Sequence, residues 1–204
     1  MSTLAELRSI LRVLLNDNAA QGYLWSDATL NLHLNDAVRD YSRSLPRQRE
    51  STVTTVAGQR EYDLPADCLA VAGVVTSGPI PHEMVECHDA NESGYELYGG
   101  KLILHPTPTE SGLSLNLRYL APHAELVDDG DISTVPAADQ DLLLAFACAR
   151  ALQGLSAEEG KRQRFAQRTG QAAGMVAALY RQQYERGIRA RRSGVGSRRL
   201  IPIP

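Results

Sequence analysis

The sequence predicts a mainly α-helical protein with a β insertion, an α+β fold in which a four-helix body carries one antiparallel β-lobe. In both end regions of the 204-residue chain, apolar residues recur every three or four positions, as on one face of a helix. In the middle they alternate every two positions, as in strands, and glycine and proline separate the segments. The predicted parts are a helical bundle of residues 1–46 and 133–190, an inserted β-lobe of residues 50–122, and a C-terminal docking arm of residues 191–204.

The first two helices are predicted to form an antiparallel hairpin. Thr3 and Glu6 have capping-box spacing, so their side chains and backbone amides can satisfy one another at the helix start. Ser26 has the position of the next N-cap, and Pro46 ends the second helix near Leu45. The apolar stripes are Leu4, Leu7, Ile10, Leu11, Leu14 and Leu15 in the first helix, and Leu30, Leu34, Ala37, Val38 and Tyr41 in the second.

The β-lobe is predicted from short alternating or β-branched segments that end at glycine or proline. Two of them flank Gly99 and Gly100 and therefore predict a hairpin, because a two-residue turn of this kind requires positive φ angles. The last segment alternates leucine or tyrosine with polar residues, which is typical of a half-buried antiparallel strand. The predicted strands are residues 51–56, 61–64, 69–75, 95–98, 101–104 and 113–119.

Two further helices follow the lobe. Pro136 suits the first turn of a strongly apolar third helix that ends near Gly154 and that we expect in the centre of the core. A long fourth helix is predicted over residues 157–190 and, if it is continuous, would extend about 50 Å. Its far end, which contains Gly187 and many basic residues, is predicted to project from the body.

Charge is distributed unevenly along the chain. Residues 161–204 carry eleven Lys and Arg and a single acidic residue, Glu185, for a net charge of +10, whereas residues 1–160 have a net charge of −13. This separation predicts that the C-terminal end binds a negatively charged partner. The residues predicted to bind it are Arg189, Arg191, Arg192, Arg198, Arg199, Leu200, Ile201, Pro202, Ile203 and Pro204.

The chemistry of this arm favours docking on another molecule. Its arginines can pair bidentately with carboxylates or phosphates, and Gly194 and Gly196 could supply a hinge. The apolar tip, Leu200–Pro204, is biased by proline toward an extended conformation that suits a groove or a sheet edge on a partner. A solubilising tail is the alternative interpretation, but it gives no reason for an apolar tip.

No pattern in the sequence predicts catalysis, a cofactor or a metal site. His82 and His88 are six residues apart, not the four of a helical zinc motif, and the nearby prolines disfavour a helix. Residues 128–131 are interpreted as a polar turn because they lack the spaced ligands of a calcium loop. The three cysteines predict reduced thiols, and the longest apolar run, Leu142–Ala149, is too short to span a membrane. The expected setting is therefore the cytoplasm, without membrane association.

Several short motifs together resemble the head–tail connector, or adaptor, proteins of tailed bacteriophages. They are the segments 25–30, 34–41 and 62–67, the last reading Tyr-Asp-Leu-Pro-Ala-Asp, followed by a Val-Pro pair that opens an Ala/Leu-rich helix. Their order along nearly the whole chain carries the resemblance. It implies a virion structural protein of the head–tail neck that is not an enzyme.

The resemblance also implies partners. Connector proteins of this kind form a ring, usually of twelve copies, beneath the portal protein of the DNA-filled head, and the tail or a nozzle protein binds the other side. The arm would anchor in the portal, with Tyr180 and Tyr184 near its base, and DNA would pass through the channel without sequence-specific binding. An arm that becomes ordered only on docking would keep the free subunit monomeric until the portal templates assembly.

Two other classes of function remain open on the sequence alone. A nucleic-acid-binding protein could use the basic helix and tail on phosphates, although such binding would be non-specific and strongly salt-dependent. An enzyme could have its site in a cleft beside the β-lobe, but it would need converging polar residues that no motif predicts.

Overall fold

The computed structural model describes residues 2–18, 20, 22–77, 83–87, 93–155, 158–194 and 201–202. The chain folds into two compact units, which we name the helical unit and the β unit. The helical unit comprises Met1–Leu45 and His123–Gly196, and the β unit comprises Pro46–Pro122 and Ser197–Pro204. The mixture of helices with antiparallel sheets agrees with the α+β class predicted from periodicity.

Five α-helices form the described part of the helical unit. The Thr3–Glu6 capping box is present at the first helix, and the Ser26 hydroxyl accepts the Thr29 N–H at the second, as the sequence predicts. A single 3₁₀ turn, Ala137–Asp139, follows Pro136 and leads into the third helix. The helices are α1 (Leu4–Leu14), α2 (Asp27–Ser44), α3 (Gln140–Gly154), α4 (Glu159–Thr169) and α5 (Ala173–Gly194).

Helix α3 is the centre of the helical core. It is apolar on nearly all sides and packs against α1, α2 and α5, as expected for a helix without a polar face. Leu143 and Leu152 are fully or almost fully buried. Each such leucine contributes about 1.5–3 kcal/mol of transfer free energy relative to an exposed position.

The predicted fourth helix is in fact two helices, so the prediction of one continuous 50 Å element was wrong. Gly170 ends α4 with φ of 68°, and its N–H donates to the Ala166 carbonyl. This left-handed C-cap is a position that glycine occupies without steric cost. Four residues after the end of α4, at Ala173, the chain begins α5. The apolar periodicity continues across the break because both helices bury one face.

The prediction that the far end of this region projects from the body was also wrong for the described residues. Gly187 lies so close to α3 that a Cβ atom there would overlap Leu142 Cδ2. Ile188, one residue later, is buried in the helical core. The absence of a side chain at Gly187 therefore permits close helix packing, and α5 stays on the core over most of its length.

The β unit contains two antiparallel sheets. The four-stranded sheet has the order β1-β6-β3-β7 and the three-stranded sheet the order β2-β5-β4. Residues from both sheets form one apolar core, which includes Tyr62, Val74, Leu102 and Leu117. The strands are β1 (Arg47–Thr54), β2 (Glu61–Asp63), β3 (Ala70–Thr76), β4 (Gly94–Tyr98), β5 (Lys101–His105), β6 (Ser114–Ala121) and β7 (Ile201–Pro202).

The glycine pair of the predicted hairpin occupies the turn between β4 and β5. Gly99 and Gly100 have φ angles of 59° and 75°, and Tyr98 pairs with Lys101 across the turn. Both central residues thus need the left-handed region, which explains the choice of glycine. The predicted strand boundaries agree with the observed ones to within a few residues.

The cysteine side chains are buried or partly buried. All three are in the reduced thiol form, and burial raises the pKa of the Cys148 thiol to about 12. A thiol of this kind is a poor nucleophile at neutral pH. Among the helices that the structure describes, none is long and apolar enough to cross a membrane.

Candidate functional site

The residues of the predicted docking arm occupy different parts of the fold. Arg189, Arg191 and Arg192 lie in the last turns of α5, which continues to Gly194. The backbone of Ile201–Pro202 forms β7 in the β unit. Arg198, Arg199, Leu200, Ile203 and Pro204 are outside the described residues.

Arg191 is fixed to the helical unit by a carboxylate. Its Nε donates to Asp139 Oδ1 at 2.7 Å, and its Nη2 donates to the Ala138 carbonyl at 3.2 Å. The other oxygen of the same carboxylate accepts the Tyr41 hydroxyl at 2.7 Å. Asp139 is buried, so this two-sided hydrogen bonding satisfies a charge that would otherwise be costly in the interior. The hydrogen bond and charge of Asp139 raise the pKa of Arg191.

A second pair of contacts joins α5 to α2. The Tyr184 hydroxyl donates to Asp40 Oδ2 at 2.6 Å, and the Tyr184 ring makes an edge contact with Phe146. Arg192 Nε donates to the Ser44 carbonyl at 3.3 Å, close to the C-terminus of α2. A cation is favourable at that end of a helix because the last carbonyls carry partial negative charge.

Burial and these carboxylates keep the two tyrosines protonated. Desolvation, followed by the hydrogen bond to Asp139, raises the pKa of Tyr41. The same two causes, with Asp40 as the acceptor, raise the pKa of Tyr184. Both hydroxyls therefore act as hydrogen-bond donors at neutral pH. We name the set Asp40, Tyr41, Asp139, Tyr184 and Arg191 the arm root.

The side of α5 that faces solvent carries several arginines. Glu185, the one acidic residue after position 160, accepts from Arg181 Nε at 3.1 Å and lies 3.6 Å from Arg189 Nη2. Arg186 is exposed on the same side. One carboxylate shared by flanking arginines leaves the outer face of α5 strongly positive, and such exposed ion pairs contribute little to stability.

The backbone of Ile201–Pro202, the two described residues of the arm tip, lies along a sheet edge of its own chain. Ile201 pairs with Val71 and Pro202 pairs with Ala70, antiparallel to β3. The sequence predicts an extended tip that suits the edge of a sheet on a partner. The described pair of residues is extended as predicted, but the sheet belongs to the β unit of the same protein.

The other candidate residues have structural surroundings. The Asp131 carboxylate accepts the N–H groups of Val127 and Asp128, which closes the predicted polar turn and lowers the pKa of Asp131. His82 and His88, whose spacing does not fit a zinc motif, lie outside the described residues. In the described part of the chain, no group of three or more His, Cys, Asp or Glu side chains could hold a metal ion.

The carboxylates of the arm root were missed by the sequence reasoning. Asp139 belongs to no motif, and Asp40 lies in the segment 34–41 without an assigned role; they meet Arg191 and Tyr184 across more than 50 residues of sequence. A usable signal was the placement of Tyr41 on the buried stripe of its helix, because a buried tyrosine hydroxyl needs an acceptor. Tyr184, expected near the base of the arm, lies in α5 with its hydroxyl on Asp40, and its place beside a docking arm stays a prediction.

Comparison with known proteins places the chain in a family. A family model described as "SU10 adaptor protein" matches residues 2–200, which is almost the whole chain. The search of curated proteins found no match to this chain. The family is one of phage structural proteins, components of the virion that join head and tail. This protein belongs to the SU10 adaptor protein family.

Proposed function

We propose that this adaptor forms a ring, of about twelve copies, that joins the portal of the DNA-filled head to the tail, and that residues after the arm root dock on the portal. The observation that carries the proposal is the combination of family membership over residues 2–200 with a net charge of +10 after residue 160. The partners are the portal ring, a tail or nozzle protein, and further copies of the chain. DNA passes through the channel without sequence-specific contacts.

The arm root supports the docking part of this proposal. Arg191 and Tyr184 hold the end of α5 against Asp139 and Asp40, so the last described turn of the helix has a fixed position in the helical unit. A docking segment that departs from a fixed point loses less conformational entropy on binding than one that departs from a mobile helix. Arg191 therefore acts in positioning, and the contact with the portal is assigned to the residues after Gly194.

Exposed apolar side chains on two helices support contacts between copies. On α1, Val13 is 79% exposed, with Ile10 and Leu14 beside it, and on α5, Met175 and Leu179 are 67% and 60% exposed. Grouped exposed apolar residues commonly mark protein interfaces. A ring requires a heterologous contact in which two different faces of one subunit meet, and these two helices supply two such faces.

The flanking charges on these faces are complementary. Glu6 precedes Val13 by seven positions on α1, and Arg186 follows Leu179 by seven positions on α5. Both Glu6 and Arg186 are exposed. Two antiparallel helices that brought Val13 onto Leu179 would bring Glu6 opposite Arg186, because seven residues span about 10 Å on each helix.

In a ring, weak contacts made by the single arms are sufficient for tight binding to the portal. After one arm has bound the portal, the remaining arms meet their sites at an effective concentration of roughly millimolar. The total affinity then rises by orders of magnitude without any new contact. This predicts a steep dependence of head binding on the number of intact arms.

The decisive experiment is deletion of residues 195–204, which leaves Arg191 and the rest of the arm root intact. Binding to purified portal rings or tailless heads is measured by sedimentation, and joining by infectivity after tails are added. We expect loss of portal binding with an unchanged circular dichroism spectrum. Normal joining by the shortened protein would overturn the docking proposal.

Two matched variants separate charge from apolar contact. One replaces Arg198 and Arg199 by glutamine, and the other replaces Leu200, Ile201 and Ile203 by serine. Arg164, which is exposed on α4 and lies outside the arm, is replaced by glutamine as the control for loss of charge. We expect both arm variants to weaken portal binding and the control to retain it.

The ring contact is tested by exchanging charges. Glu6→Arg and Arg186→Glu should each reduce oligomers formed on the portal, counted by mass photometry after gentle cross-linking, and the double exchange should restore them. Unchanged oligomers in both single variants would refute this pairing of helices, without bearing on the arm.

Nucleic-acid binding is the competing function, and the exposed arginines on the outer side of α5 favour it. Electrophoretic shift of short duplex DNA, measured at low and physiological salt, distinguishes the two functions. Phosphate binding by a cluster of arginines weakens steeply with salt. Tight binding of DNA by the isolated subunit at physiological salt would favour the competing function.

A further inference from the structure

Apart from β7, the four-stranded sheet would end at β1 on one side and at β3 on the other, and these two strands differ in composition. Strand β1 pairs only with β6 in the described part of the chain, and it carries Arg47, Arg49 and Glu50. Charged side chains on an edge strand discourage further strands from adding to it. Strand β3 has the sequence Ala-Val-Ala-Gly-Val-Val-Thr, without a charged residue. The edge of β3 that faces away from β6 would therefore attract further strands unless another segment pairs with it.

Two segments cover that edge of β3. Near its end, Val75 forms a bridge with Glu83, and the Met84 N–H donates to the Val74 carbonyl at 2.8 Å. At its start, Ala70 and Val71 pair with the arm tip in β7. The first cover is a neighbouring segment of the β unit itself, whereas the second is supplied by residues that lie about 130 positions later in the chain.

We propose that the start of the β3 edge, at Ala70–Val71, is a strand-binding site for the arm tip of the same chain, and that occupation of this site withholds the tip from the portal until docking. This inference rests on the proposed function. A backbone N–H or C=O group that bonds β3 cannot bond a second sheet at the same time. A portal groove that needs the same main-chain groups of Ile201–Pro202 therefore competes with the β3 edge for the tip.

The short ladder makes such an exchange feasible. Among the described residues, two pairs join β7 to β3, and Pro202 has no N–H to donate. Addition of a strand to a sheet edge obtains its affinity mainly from main-chain hydrogen bonds, so a ladder of two residues is weak. It persists because the tip is tethered, at an effective concentration of roughly millimolar. A multivalent portal can outcompete a contact of this strength.

The same contact would also keep free subunits from associating before they dock. An exposed apolar tip and an uncharged sheet edge each promote aggregation between copies. When the tip pairs with the β3 edge of the same chain, neither the tip nor the edge is available to another copy. When the portal binds the tip, the β3 edge becomes open to pairing, but only in a subunit that is already docked.

A peptide tests the site without the portal. A fluorescent peptide with the sequence of residues 197–204 is titrated against the chain that lacks residues 195–204 and against the full chain, with fluorescence anisotropy as the readout. We expect the shortened chain to bind the peptide at least about tenfold more tightly, because the tethered tip competes in the full chain. A peptide with Ile201→Pro is the control and should bind neither.

Equal affinity for both chains, or no binding to the shortened chain, would overturn the inference. Neither result depends on the portal, so the proposed function is tested separately. If the peptide binds the shortened chain as expected but the full chain does not bind portal, the proposed function fails and the strand-binding site remains.

A reversible cross-link tests the withholding of the tip. Ala70→Cys and Pro202→Cys are introduced together in a Cys68→Ser background, because the positions are register partners and the nearby native thiol would compete. The oxidised protein should lose portal binding and recover it on reduction. Oxidised protein that binds portal as well as reduced protein would overturn withholding, and covalent dimers on a non-reducing gel would overturn occupation by the same chain.

Discussion

The helical unit and the β unit hold the end of the chain by different kinds of contact. In the helical unit, side chains specific to this sequence fix α5: Gly187 fits against Leu142, Tyr184 donates to Asp40 and Arg191 pairs with Asp139. In the β unit, two residues of β7 are held through backbone pairing with β3. Backbone pairing tolerates many sequences, whereas a packed helix face tolerates few.

This difference separates a permanent attachment from an exchangeable one. The side-chain contacts of α5 are part of the helical core and are lost only when that core opens. The pairing of β7 adds to the edge of a sheet whose other strands already share a core without it. We therefore expect changes along α5 to alter stability, and changes in the tip to alter binding.

The largest expected effect is the removal of core volume at the helix that supports α5. Leu143→Ala should lower the free energy of unfolding by about 2–5 kcal/mol, because the side chain is completely buried and a cavity remains. Urea titration followed by far-ultraviolet circular dichroism measures it. Leu179→Ala, at an exposed position of α5, is the control and should change stability little.

Close packing of α5 on α3 is tested at its glycine. Gly187→Val should lower the free energy of unfolding by about 1–3 kcal/mol, since the new side chain overlaps Leu142 in a filled core. Gly174→Val is the matched control, because a Cβ atom there meets nothing within 4 Å. Equal stability of the two variants would contradict the close helix contact.

Tyr184→Phe tests the polar half of the α5 attachment. It should lower stability by about 1–2 kcal/mol at neutral pH, because Asp40 loses a hydrogen-bond donor while the ring is kept. Tyr98→Phe, at an exposed tyrosine, is the control.

The pH dependence of the same variant has a defined sign. Folding raises the pKa of Tyr184, so the stabilisation is complete below the unfolded tyrosine pKa of about 10 and declines above it. Alkaline denaturation should therefore be less steep for Tyr184→Phe than for the unchanged protein. Parallel curves for the two proteins would show that the Tyr184 hydroxyl is not the group whose pKa is raised by folding.

The smallest effect on stability is expected in the β unit. Deletion of residues 195–204 removes β7, of which the structure describes two residues, and should change the free energy of unfolding by less than about 0.5 kcal/mol. Hydrogen exchange followed by mass spectrometry should show faster exchange in β3 and unchanged exchange in α5. Faster exchange throughout α5 would remove the distinction between the two kinds of attachment.

The predictable parts of the fold are those set by local pattern. The capping box at Thr3, the Gly99–Gly100 turn and the alternation in β6 each depend on residues that are close together in the sequence. The break at Gly170 was missed because apolar periodicity alone does not distinguish one long helix from two that bury the same face.

The sequence by itself determined the fold class, the family and the concentration of positive charge at one end of the chain. Periodicity, capping residues and short motifs are local, and charge is additive, so none of these needs a folded chain to be recognised. Only the tertiary structure decided which arginines face solvent and which face the core. Arg191 meets Asp139, and the arm tip meets β3, across long separations in sequence. Contacts of that kind depend on packing, which no local pattern encodes.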